Sequence, residues 1–67
     1  MKMNNILARL DNKFAHLTRG TIGRSQRTAW YAESVWLKGG HHFICEGDTP
    51  EEALYELLKQ TKDFEVL

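Results

Sequence analysis

The stretch Glu46-Gly47-Asp48-Thr49-Pro50-Glu51-Glu52-Ala53-Leu54 marks the point where a strand stops and a helix starts. The Thr49 hydroxyl suits a helix N-cap and Pro50 suits the first helical position. Glu52 stands three residues after Thr49, the spacing at which its carboxylate reaches back to the Thr49 amide and closes a capping box. Asp48, Glu51 and Glu52 set negative charge against the positive end of the helix dipole. A helix is therefore expected over 50–61, with Ala53, Leu54, Leu57 and Leu58 as its apolar stripe and Lys59 and Lys62 near its negative end.

Upstream of this junction, 28–38 reads Thr-Ala-Trp-Tyr-Ala-Glu-Ser-Val-Trp-Leu-Lys, dense in aromatic and β-branched residues and expected as a strand. Gly39-Gly40 is a two-residue hairpin turn, because both positions tolerate positive φ, and 41–46 is the returning strand. This register sets Lys38 opposite His41, Trp36 opposite Phe43, Val35 opposite Ile44 and Ser34 opposite Cys45. One face of the ribbon then holds Trp30, Ala32, Ser34, Trp36, Phe43 and Cys45. The other holds Tyr31, Glu33, Val35, Leu37, His42, Ile44 and Glu46. Glu33 and Glu46 are costly inside an apolar core, so the tryptophan face is expected to be buried.

At the start of the chain, Ile6, Leu7, Leu10, Phe14 and Leu17 recur every three or four residues, which predicts a helix over 5–17, capped by Asn4 or Asn5 and ended by Gly20. Residues 18–27, with two glycines, three arginines and no acid, read as a loop. The expected fold is α+β in the order helix–β-hairpin–helix (αββα), a two-stranded antiparallel sheet covered on one face by two helices. It forms a single domain over 1–67, in which 63–67 either docks through Phe64, Val66 and Leu67 or frays as a tail.

Composition narrows the function classes. A chain of 67 residues buries only about 60% of the surface of its unfolded form. Nine Lys and Arg balance nine Asp and Glu, which argues against whole-chain electrostatic capture of nucleic acid or membrane. Cys45 is the one cysteine, so no internal disulfide forms, and a reducing, cytoplasmic setting is expected. No apolar run is long enough to span a bilayer, and Met1-Lys2-Met3-Asn4 leads into no signal-type segment.

Four apolar residues on the open ribbon face, Tyr31, Val35, Leu37 and Ile44, form a contiguous patch of the kind that marks a partner or self-association surface. The loop Arg19-Gly20-Thr21-Ile22-Gly23-Arg24-Ser25-Gln26-Arg27 has glycines that admit an anion and arginines that fork toward phosphate. Arg19, Arg24 and Arg27, with Lys38 and His41, are therefore the nucleic-acid candidates. His41, His42 and Cys45, with His16 as a third ligand, fall short of a structural zinc set, and exposed imidazoles beside a small buried thiol account for them. Cys45 has no positioned base or oxyanion site, and Glu51 and Glu52 are explained by capping. No catalytic residue, metal or cofactor is expected.

The segment Gly47-Asp48-Thr49-Pro50-Glu51-Glu52-Ala53-Leu54 resembles the strand-to-helix junction of HicB-like antitoxin domains. Those are small α+β folds that bind and mask a toxin, although they open with a strand and this chain opens with an amphipathic helix. Gly20-Thr21-Ile22-Gly23 is similar to the GXXG loop of KH domains, which clamps a nucleic-acid backbone. In size and character the chain also resembles the short accessory proteins of phages and prophages, which implies binding to a host protein. The expected function is thus a non-enzymatic protein-binding module of the modulator or inhibitor type, acting on a protein partner or as a homo-oligomer. The alternative is a small nucleic-acid-binding protein using loop 18–27.

Overall fold

A computed structural model describes residues 2–21 and 28–67. Its elements are α1 (Met3–Leu10), a 3₁₀ turn (Asp11–Lys13), β1 (Phe14–Thr21), β2 (Thr28–Ser34), β3 (Ile44–Gly47) and α2 (Pro50–Thr61). The class is α+β, but the sheet is antiparallel with three strands in the order β1-β2-β3, which corrects the two-stranded hairpin expected from the sequence. Both helices cover one face of this sheet. Ile6 and Leu10 from α1, Ala32 from β2, and Ala53, Leu54 and Leu57 from α2 form the core. Trp30, Phe43 and Cys45 pack against it from the sheet, as the sequence pattern implies.

The third strand comes from residues read as helix and loop. α1 stops at Leu10, where the Asp11 amide bonds back to the Leu7 carbonyl and Asp11 takes φ 54°. With ψ −121° this conformation lies outside the helical region, and after the 3₁₀ turn the chain leaves as a strand. Asn4 and Asn5 lie inside the first helical turn, and no side chain caps it. The spacing of Phe14 and Leu17 misled because a bulge lies between them: Phe14 pairs with Ser34, but His16 pairs with Glu33. An extra residue turns the strand spacing of two into a spacing of three, which imitates a helix.

A second irregularity reshapes the β2–β3 hairpin. Cys45 pairs with Ala32 and Ile44 with Glu33, two residues out of the expected register. The Ser34 amide donates to the Phe43 carbonyl and the Leu37 amide to the His41 carbonyl. Three steps on one side therefore match two on the other, and Val35 and Trp36 together stand opposite His42. Beyond them Lys38, Gly39 and Gly40 make a three-residue loop, with φ 86° at Gly39 and 80° at Gly40. The bulge reverses the alternation, so Leu37 turns inward and is 0% exposed, while Trp36 turns outward and is 59% exposed. This overturns the placement of Trp36 in the core.

The segment 64–67 is docked. Lys38 donates its amide to the Glu65 carbonyl, the Leu67 amide bonds to the Trp36 carbonyl, and Leu37 bridges to Val66. Lys38 Nζ lies 2.9 Å from Glu65 Oε2 and holds the Glu65 carboxyl below its usual range, chiefly through that hydrogen bond. Phe64 sits against His41 and Phe43, with centroids 4.4 and 5.4 Å away.

The capping signal of α2 is realised. The Glu52 amide donates to Thr49 Oγ1 at 3.2 Å, and the Glu52 carboxylate reaches back one residue further than expected, to the Asp48 amide at 3.0 Å. Gly47 lets α2 start this close to β3, because a Cβ there would overlap the Ala53 amide and the Glu52 carbon. Among the described residues, no helix is long and apolar enough to cross a membrane. Gly47→Ala is expected to destabilise the fold by about 2–3 kcal/mol, since backbone must move to admit one methyl. Thr49→Ala is expected to cost about 1 kcal/mol. Urea unfolding of both variants, with Gly47→Ala the more damaging, checks this order.

Candidate functional site

The sheet face away from the helices holds the most organised group of polar and aromatic side chains. Glu33 stands on β2 at its centre, with His16 of β1 on one side and Ile44 of β3 on the other. Each bulge adds a residue to this face. The one at Phe14/His16 turns His16 outward, and the one at Val35–Trp36 turns Trp36 outward, in keeping with the use of bulges to re-aim side chains.

His16 Nε2 lies 2.8 Å from Glu33 Oε1, and His42 Nε2 lies 2.7 Å from Glu33 Oε2. One carboxylate therefore receives one imidazole on each oxygen. An ionised carboxylate only accepts hydrogen bonds, so His42 donates to it in the tautomer that carries its hydrogen on Nε2, while His16 Nε2 stands at ion-pairing distance from the other oxygen. The His42 ring stacks on the Trp36 indole, 4.7 Å between centroids and 27° between planes. Trp36 is exposed yet bears on a side chain that is itself tied to the sheet. Ile44, 54% exposed, is a second large apolar side chain open on this face.

The bulge beneath Trp36 is locked by Ser34, which is 1% exposed. Its Oγ accepts the Phe43 amide at 3.0 Å and donates to the Val35 carbonyl at 2.9 Å. The hydroxyl takes the amide that a regular ladder would give to the Ser34 carbonyl. On the far edge, the Val35 amide bonds to the Lys13 carbonyl at 2.8 Å.

The patch expected from the sequence is only partly at the surface. Ile44 is exposed and Val35 is half-buried. Leu37 is interior through the bulge, and Tyr31 is 6% exposed, so neither presents a contact surface. The nucleic-acid candidates among the described residues, Arg19, Lys38 and His41, are dispersed. Arg19 lies over the Trp30 ring, 6.0 Å from its centroid. Lys38 is paired with Glu65, and His41 packs on Phe64, at the other end of β2. Eight residues at about 3.3 Å each put roughly 25 Å between the Trp30 and Lys38 positions. Arg24 and Arg27, with 22–27 as a whole, lie outside the described residues.

Burial, and secondarily the Glu56 carboxylate, pushes the Cys45 thiol up, which disfavours the reactive thiolate. Among the described residues, no group of three or more His, Cys, Asp or Glu side chains is arranged to hold a metal ion. A shallow groove of about 400 Å³, lined by Ile6, Glu51, Glu52 and Tyr55, lies between the helices and shares no residue with the outer sheet face. No family model matches the chain, and no curated protein or solved structure matches it either.

Sequence reasoning passed over Trp36, His16 and Glu33 as one group, since strict alternation puts Trp36 inside and the helical reading removes His16 from the sheet. The available signal was Ser34 next to Val35-Trp36, a short hydroxyl able to stand in for a backbone acceptor. Ser34→Ala is expected to cost about 1 kcal/mol by leaving the half-buried Phe43 amide without its partner. Faster amide exchange at Phe43, measured by NMR, is the local sign. Unchanged exchange there would contradict the role given to Ser34.

Proposed function

We propose that this protein is a non-enzymatic binding protein that docks another protein on its outer sheet face, with Trp36 as the anchor and Ile44 beside it. The observation that carries this reading is the state of Trp36, turned outward by a bulge and then held in place by the His42 ring. Tryptophan is the residue type most enriched among side chains that dominate binding energy. An anchor already held in one orientation loses less entropy when a partner covers it. Ile44 extends the apolar area, and the imidazoles with Glu33 supply a polar rim.

A modulator or inhibitor that covers a surface of its target needs no more than this, which agrees with the resemblance to short phage accessory proteins. The nucleic-acid reading is weaker, because Arg19 is remote from Lys38 and His41, and Lys38 is paired with Glu65.

The test is the double variant Trp36→Ala/Ile44→Asp. It is expected to keep the circular dichroism spectrum of the parent and to lose at least about tenfold in affinity for the protein captured by the parent chain, as removal of a binding hot spot does. Light scattering treats a second copy as the partner in the same way. Affinity is expected to change little between about 50 and 200 mM salt, where a protein held by six to ten phosphate contacts loses about 10³–10⁵. Undiminished binding by a folded double variant would remove the outer face from consideration.

A further inference from the structure

Glu33 holds His16 on one oxygen and His42 on the other, and His42 in turn supports Trp36. A neutral imidazole exchanges its hydrogen between Nε2 and Nδ1, and the Nδ1–H form points a lone pair at the carboxylate and loses the bond. A protonated imidazole has no such alternative, because both nitrogens donate. Proton uptake at His42 Nδ1 therefore leaves its hydrogen bond to Glu33 in place, makes it charge-assisted and removes the competing tautomer, and at His16 it turns the 2.8 Å contact into an ion pair. It also converts the His42–Trp36 stack into a cation against an indole face, a stronger contact.

Charge on the face changes at the same time. By strand register Thr18 of β1 and Glu46 of β3 lie on this face, each opposite Tyr31. Lys13, the nearest lysine in sequence to β1, commits its Nζ to the Thr61 carbonyl at 2.8 Å. Protonation of both imidazoles adds two positive charges on either side of the Glu33 carboxylate.

We propose that the His16–Glu33–His42 array is a proton-operated control on the Trp36 surface, stiffening the anchor as the imidazoles charge. This rests on the role given to Trp36 under the proposed function.

The experiment uses the full chain carrying Trp30→Phe, so that Trp36 is the only indole. Its emission and its accessibility to acrylamide are followed from about pH 8 to about pH 5, the range in which histidine changes charge. Both are expected to fall together with protonation of His42, read from its ring protons by NMR. The response is expected to be lost in His42→Gln. In Glu33→Gln the imidazole still protonates, but the fall in accessibility is lost. If Trp30→Phe does not fold, fluorotryptophan incorporated into the parent sequence gives two fluorine resonances, of which Trp36 alone should move with His42. A folded protein whose Trp36 signal stays flat, or responds equally in His42→Gln, overturns the control. A Trp36 signal that titrates as expected, with partner binding indifferent to Trp36→Ala, would instead overturn the contact surface and leave the array standing.

Discussion

One buried hydroxyl decides how this sheet is built. Ser34 Oγ accepts the Phe43 amide and donates to the Val35 carbonyl, so β2 gains a residue against its neighbour without leaving that amide unpaired. Left without a partner, that half-buried amide would cost about 1 kcal/mol, a noticeable share of the stability of so small a domain. With the amide satisfied, alternation reverses beyond Ser34. Leu37 enters the interior beside the docked tail, and Trp36 leaves it.

The same device shapes both edges of the candidate site. A bulge in β1 turns His16 outward and the bulge after β2 turns Trp36 outward, so the two flank Glu33 on the open face. The chain then holds its exposed indole through a stacked imidazole, and that imidazole through a carboxylate. A large apolar group shown to water in one orientation differs from one left loose, because the ordering entropy has already been spent in folding. The helical side of the molecule does different work. There Gly47 and the capping of α2 let helix and strand meet closely enough to enclose Ala53, Leu54 and Leu57.

Much of the frame was legible in the amino-acid order. The Thr49–Glu52 capping pair, Pro50 and the stripe through Leu57 located α2 because these signals act within a turn or two of chain. The glycine pair located the hairpin, and the alternation of Trp30 and Ala32 identified the buried face of the sheet. The register was not legible, since Gly39-Gly40 suits a two-residue and a three-residue loop alike. The strand at 14–21 was hidden by its own bulge, which spaces Phe14 and Leu17 as a helix would.

What the sequence alone determined, then, were the features set by local chemistry: the α+β class, the second helix with its cap, the position of the hairpin turn and the apolar face around Ala32. Tertiary structure alone decided that β1 joins the sheet, that Leu37 rather than Trp36 is interior, and that His16, Glu33 and His42 converge. The physical reason is the period of a strand. Alternation predicts a face only while each residue has one partner, and a single extra residue exchanges inside and outside for everything beyond it. Whether that residue is accommodated depends on hydrogen-bond partners far away in the chain, here Phe43 for Ser34 and Lys13 for Val35.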